Sequence, residues 1–195
     1  MIAQIRAAVI AVVVFTLALG LAYPLLSVAG SRLIAPNGAD GSLIERGGEV
    51  IGSRLIGQSF AGELRYFQER PSQSHYAADA TFFSNYGPNG EDTREAFDTN
   101  VAKYLKREGE YTPGLTVGDI PSSAVMTSAS GVDPHIDPDD ARIQANRVAE
   151  VRGIDRDRVL DLIEEHTEGR ALGVLGDPGV NVLELNLALD QEEDQ

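Results

Sequence analysis

Residues 7–31 read AAVIAVVVFTLALGLAYPLLSVAGS, 25 positions without a charge between Arg6 and Arg32. The hydrocarbon core of a bilayer is crossed by a helix of roughly 20 apolar residues, so this run predicts one transmembrane helix and makes everything after it a domain on a tether. A cleaved secretory signal is the first competing reading, but its apolar region runs only about 7 to 15 residues and ends at a small-residue site. Here bulky Tyr23, Pro24, Leu25 and Leu26 stand where cleavage would fall. A buried soluble helix would need a large core, and the rest of the chain is too polar to surround one. Pro24 lies near the far end of the run, where neighbouring helices satisfy the backbone groups that a proline frees. It predicts a helix that packs against others through small side chains such as Ala11, Ala18 and Ala22.

Of the 195 residues, those beyond Arg32 are enough for one domain of ordinary size and too few for two. All 30 acidic residues lie in that part with 14 of the 16 basic ones, so residues 33–195 carry 14 − 30 = −16. Such a surface repels nucleic acid and anionic lipid. Only two lysines occur, Lys103 and Lys106, against many arginines and dispersed acids, a surface style like that of proteins from salt-rich surroundings. The absence of cysteine excludes disulfides, thiol nucleophiles and cysteine metal sites. Arg6 and the amino terminus favour a cytoplasmic start, Arg32 and Arg46 oppose it, and the balance leans toward a domain outside the cell membrane.

Past the anchor, Ile34 to Gly62 is glycine-rich, and the apolar pairs Leu43-Ile44, Val50-Ile51 and Leu55-Ile56 predict two or three short strands, with Gly47-Gly48 as a hairpin turn. No glycine pattern there leads into the lysine and hydroxyl of a phosphate loop. Tyr66 to Gly90 lacks periodicity yet holds six of the twelve aromatic residues, which predicts a packed functional loop. Thr93 to Arg107 has helical spacing, with Phe97, Val101, Tyr104 and Leu105 on one stripe and Thr93 as its cap. VMTSASG at 125–131 reads as a turn, without the G-x-S-x-G elbow that would make Ser128 or Ser130 a nucleophile.

Four carboxylates and a histidine fall within Asp133-Pro134-His135-Ile136-Asp137-Pro138-Asp139-Asp140. Their spacing fits neither a zinc site nor a calcium loop. Helix-start chemistry accounts for them: Asp137 caps, Pro138 takes the first position, and Asp139 and Asp140 sit on the positive end of the dipole. The helix runs to about Arg152 with Ile143, Val148 and Val151 inward, Gly153 stops it, and Asp155 caps a second helix carrying Val159, Leu162, Ile163 and a core His166. VNVLELNLALD at 180–190 alternates with period two and predicts a closing strand, which would have to meet the strands at the other end of the domain. The fold expected is α+β: a single N-terminal transmembrane helix at 7–31, then one soluble domain at 32–195 of short strands and about three helices.

Taken together, these stretches resemble a known family. Tyr23-Pro24-Leu25-Leu26, Gly41-Ser42-Leu43-Ile44, the run Gly52 to Phe60 with Gly57-Gln58, Tyr66-Phe67 followed by Arg70-Pro71-Ser72, Thr127 to Ile136 with Ser130-Gly131 and Asp133, Gln144 with Arg147, and Val180-Asn181 followed by Leu185-Asn186 occur in the order seen in KdpC, the C subunit family of the Kdp potassium pump. The resemblance covers nearly the whole chain. It implies an accessory subunit of a high-affinity ATP-driven potassium importer in the cell membrane, beside a channel-like subunit and a P-type ATPase subunit. It further implies a soluble domain on the outer side, a role in assembly and stability, and a described role as a catalytic chaperone raising the ATPase subunit's affinity for ATP. No cofactor is expected to be held tightly by this chain, ATP acting at the level of the complex. One departure stands out: where the family has a serine- and glycine-rich stretch, this chain reads Thr81-Phe82-Phe83-Ser84-Asn85, whose phenylalanines oppose a close approach of phosphate. A field-focusing role for Asp133, Asp137, Asp139 and Asp140 toward potassium is a further expectation. The rival readings are a free-standing anchored binding protein and an anchored enzyme using Ser130, His135 and Asp133.

Overall fold

The computed structural model describes residues 1–79 and 85–193, and internal contacts divide the chain into two units, Met1–Ser53 and Arg54–Gln195. The first unit is dominated by one continuous helix, Ile2–Ile34, of 33 residues, with an 18-residue window of mean hydropathy 2.5, long and apolar enough to cross a membrane. It consists of α1 (Ile2–Leu17), a π-helical turn at Ala18–Ala22 and α2 (Tyr23–Ile34). The wide turn has a local cause. Pro24 has no N–H to give to the preceding turn, and just before it the Tyr23 amide reaches back five residues to the Ala18 carbonyl. A further helical turn, α3 (Pro36–Ala39), follows, and Arg32 pairs with Asp40 at 2.9 Å. The hairpin of β1 (Leu43–Arg46) and β2 (Glu49–Ser53) turns on Gly47 and Gly48, whose φ of 64° and 86° match a turn that only residues without a Cβ enter freely. Ser53 Oγ donates to the Gly41 carbonyl at 2.7 Å and ties the hairpin's end to its start.

The second unit holds α4 (Glu91–Glu108), the single turn α5 (Ser122–Val125), β3 (His135–Ile136), α6 (Pro138–Arg152), α7 (Arg156–Glu165), β4 (Thr167–Glu168), β5 (Gly179–Asn181) and α8 (Val182–Glu193). The three short strands form an antiparallel sheet in the order β3-β5-β4. Val148 of α6, Val159 and Leu162 of α7, Leu185 and Leu189 of α8, Ile136 and Val180 of the sheet and Phe67 make the main core. A smaller cluster of Val101, Tyr104, Ala124 and Val125 joins α4 to α5. The α+β class holds, as do the caps at Asp137 and Asp155, whose side chains accept from the Asp139 and Asp157 amides at 2.8 Å. Gly153 ends α6 in the left-handed conformation.

Four sequence expectations are corrected. The period-two run at 180–190 is a helix after Asn181. Its leucines, alanine and glutamate are helix formers rather than the β-branched residues that fill strands, and Val182, Leu185, Asn186 and Leu189 share one buried face at helical spacing. Among the described residues the β1-β2 hairpin is a two-stranded sheet of its own, where the sequence predicts pairing between strands from both ends of the domain, and Leu55-Ile56 lies in a turn. Helix α4 starts earlier than Thr93, whose hydroxyl instead donates to the Gly87 carbonyl at 2.5 Å. Val151 is exposed; the inward face of α6 is Asp140, Ala141, Gln144, Ala145, Arg147, Val148 and Ala149, three of the seven polar.

Candidate functional site

That polar inward face has a task. Residues 57–76 contribute no helix or strand, yet Phe67 and Gln68 are buried, and buried amides and carbonyls require partners. Two carboxamides supply them. Asn186 of α8 accepts from the Phe67 amide at 2.8 Å and donates to the Phe67 carbonyl at 3.1 Å. Gln144 of α6 does the same for the next residue, accepting from the Gln68 amide at 2.8 Å and donating to its carbonyl at 3.0 Å. A carboxamide carries one acceptor and one donor side by side, as a peptide group does, so each helix clasps one residue of the segment as a neighbouring strand would.

Arg147, one turn beyond Gln144, continues the fastening. Fully buried, it donates through Nη1 to the Leu64 and Tyr66 carbonyls, through Nη2 to Gln144 Oε1 at 2.9 Å, and through Nε to both oxygens of Glu108 at 3.1 Å. Glu108, at the end of α4, is itself fully buried. Burial pulls the Arg147 pKa down while Glu108 pulls it back up. Asp140, one turn before Gln144, accepts from Tyr104 Oη at 2.7 Å and Gln144 Nε2 at 3.1 Å. Burial pushes its carboxyl up to about 6, against the pull of those two donors.

The second half of the segment is tied to residues 123–133. Arg70 pairs with Asp133 at 2.8 Å and donates to the Ser123 carbonyl; the other Asp133 oxygen accepts from the His135 amide at 3.0 Å. The Pro71 carbonyl accepts from the Ser128 amide. Ser72 Oγ donates to the Gly131 carbonyl at 2.6 Å and accepts from the Tyr76 amide, and Tyr76 Oη donates back to the Arg70 carbonyl. Gly131 takes φ of 73° to present that carbonyl. The Gly57 amide donates to the Val132 carbonyl at 2.8 Å, and a Cβ on Gly57 would lie 2.6 Å from the Asp133 carbonyl oxygen and closer still to Glu69 Oε2. Glu69 Oε1 accepts from the Gln58 amide at 3.0 Å, while its Oε2 is sealed from solvent without a partner. Burial, with Asp133 adding to it, pushes the Glu69 carboxyl up to about 8. Asn181 donates to the Arg54 carbonyl at 2.8 Å and accepts from the Glu184 amide at the start of α8.

The residues marked by sequence therefore fall into two linked groups: Gly57, Gln58, Arg70, Pro71, Ser72, Gly131 and Asp133 in one, Gln144, Arg147 and Asn186 in the other, with Asn181 beside them. Tyr23 and Pro24 lie in the first unit, at the join of the π turn and α2. Ser130 Oγ accepts from the Val132 amide at 3.2 Å, and His135 Nδ1 stands 3.8 Å from Asp133. Among the described residues no hydrogen bond joins Ser130 to His135, so no nucleophile and base are coupled there. Of the four clustered acids, Asp133 pairs with Arg70, Asp137 caps α6, the exposed Asp139 pairs with Arg142 at 2.5 Å and Asp140 is buried against Tyr104; Asp133 and Asp137 line one open recess. His166, expected in the core, is half-buried with Nδ1 at 2.8 Å from the Leu162 carbonyl. Thr81 to Ser84 lie outside the described residues.

Comparison with known proteins decides the family. A family profile described as "KdpC: K+-transporting ATPase, c chain" matches residues 5–191. The "Potassium-transporting ATPase KdpC subunit" of Rhodospirillum rubrum is 45% identical over 193 residues, 98% of this chain and 97% of that protein. This chain belongs to the KdpC family. The subunits so named from Kineococcus radiotolerans and Caldanaerobacter subterraneus subsp. tengcongensis are 45% and 40% identical, over 95% and 92% of this chain. As a KdpC chain, it spends its quoted motif residues on holding backbone. Sequence reasoning missed their counterparts Glu108, Gln68 and Glu69, and placed Tyr104 on the stripe of α4 without its partner Asp140. It also read Asp140 only as a helix-start charge, although Asp140, Gln144 and Arg147 recur at spacings that place them on one helical face.

Proposed function

We propose that this KdpC chain is a non-catalytic subunit of an ATP-driven potassium importer, anchored in the cell membrane by Ile2–Ile34 with its soluble domain outside. Its partners are a channel-like subunit that carries potassium and a P-type ATPase subunit that hydrolyses ATP; ATP serves the complex, and this chain holds no cofactor of its own. The observation that carries this reading is identity of 45% across 98% of the chain to a protein named as a subunit of the potassium-transporting ATPase. The internal architecture supports it. Arginine, glutamate and carboxamide groups of the kind that catalysis employs are here consumed by backbone clasps, which suits a preorganised docking module.

Assembly and external gating follow as its role. Purification of the chain from its native membrane in mild detergent tests it: two larger membrane proteins accompany it, and recovery as a lone monomer contradicts the proposal. Accessibility of the domain to protease from the outer face of intact cells tests the orientation. Protection there, with cleavage only from the cytoplasmic face, would instead favour the role in raising ATP affinity.

A further inference from the structure

The loop between β4 and β5 carries Leu172, Val174 and Leu175, exposed at 91%, 73% and 59%, the three most exposed large apolar side chains described in Arg54–Gln195. The loop is nonetheless tightly built. The amides of Ala171 and Leu175 each donate to the other's carbonyl at 2.9 Å, the Gly173 amide reaches the Arg170 carbonyl at 2.9 Å, and Arg170 closes the base on Asp177 at 2.9 Å. Leu172 takes φ of 53°, a left-handed conformation that costs a bulky residue roughly 1–2 kcal/mol. So four backbone hydrogen bonds and an ion pair hold in place, against the strain at Leu172, an apolar tip that stays largely exposed. A surface ordered in advance loses less conformational entropy when it binds, which is the benefit such an arrangement brings to a complex.

The chemistry of the tip selects its occupant. Residues 171–176 read ALGVLG, without the lysine, arginine, tryptophan or tyrosine that anchor segments at a membrane surface. Residues 33–195 carry −16, which repels anionic headgroups. We infer that Leu172, Val174 and Leu175 form a preformed knob that seats in an apolar recess on another subunit of the ATPase, outside the bilayer. The inference rests on the subunit reading given above.

The chain has no cysteine, so V174C places a single thiol on the tip. Its labelling by a water-soluble maleimide is to be compared between the assembled complex and the chain alone in nanodiscs and in detergent, with V117C, on a residue 52% exposed, as the reference for general reactivity. The expected result is labelling slowed at least tenfold by assembly and equal rates for the lone chain in nanodiscs and detergent. L172D/V174D is expected to lower recovery of the other subunits at least tenfold while leaving the chain's own denaturant midpoint unchanged. Equal labelling of V174C in the complex and the lone chain would overturn the inference and leave the subunit reading intact. Slowing already present in nanodiscs would overturn it in favour of lipid. Failure of the unaltered chain to bring any subunit with it would overturn both. If L172D/V174D does not fold, the labelling ratio alone decides.

Discussion

Replacing Arg147 by methionine removes a side chain that joins α4, α6 and residues 64–66. The wild-type guanidinium has no exposed surface and divides its donors among Glu108, Gln144 and the carbonyls of Leu64 and Tyr66. Taking away one partner of a buried ion pair costs about 3–5 kcal/mol, because the remaining charge stays buried and uncompensated. Here Arg107, partly exposed and also in contact with Glu108, relieves some of that charge, whereas the Leu64 carbonyl, left without Arg147, adds cost and the Tyr66 carbonyl keeps Gln68 Nε2 at 3.2 Å. We expect R147M to lose about 4 kcal/mol, out of the ~5–15 kcal/mol typical of a domain. With a urea dependence near 2 kcal/mol per molar, that moves the midpoint by about 2 M. Urea unfolding of the full chain in mild detergent measures it. E108L/R147M removes both charges and leaves the Leu64 carbonyl without Arg147, so it should recover at least half of the loss. An R147M midpoint within about 0.5 M of wild type would refute the network's role, and so would a double variant less stable than R147M.

Other consequences of the same contacts are open to measurement. Asp140 and Glu69 have folded-state pKa values raised to about 6 and about 8, from 3.8 and 4.5, so the folded chain binds their protons more tightly than the unfolded one. Their contribution is full below about pH 4 and lost as pH rises, through about 6 for Asp140 and about 8 for Glu69, the Asp140 share being about 3 kcal/mol. Urea midpoints should therefore fall from pH 5 to pH 8, and E69Q should flatten the fall above pH 6; a midpoint rising over that range would count against both assignments. G57A should cost about 1–3 kcal/mol by forcing the Asp133 carbonyl aside, read as a lower urea midpoint; an unchanged midpoint would mean the approach is loose. N186A should cost about 2 kcal/mol and speed hydrogen exchange at the amides of Phe67 and Gln68 more than at the α6 amides, whereas uniform acceleration would show that Asn186 supports the core and not the clasp.

Much of this was legible from the sequence because it is local. The uncharged run at 7–31, the aspartate-proline start of α6, Asp155 and the Gly47-Gly48 turn each write their structure into adjacent residues. What failed was pairing across distance. The alternation of Leu183, Leu185, Leu187 and Leu189 suits a strand, and it is the helix-forming residue types together with the packing of α8 on α7 and the sheet that make it a helix. Motif order located Gln144, Arg147 and Asn186, but nothing in one sequence says that two carboxamides from different helices will serve as peptide groups for Phe67 and Gln68. Glu108, which pairs with Arg147 from 39 positions away, sits among charged residues at the end of α4. Nothing local marks it as the one drawn inside.

The central claim is that this chain works as part of a potassium-transporting ATPase without catalysing the hydrolysis of ATP itself. Potassium-stimulated ATP hydrolysis by the complex, assembled with and without this chain, tests it most directly. The account predicts that activity is lost when the chain is omitted and returns when it is added, while the chain alone turns over no ATP. Equal potassium-stimulated activity in its absence would contradict it.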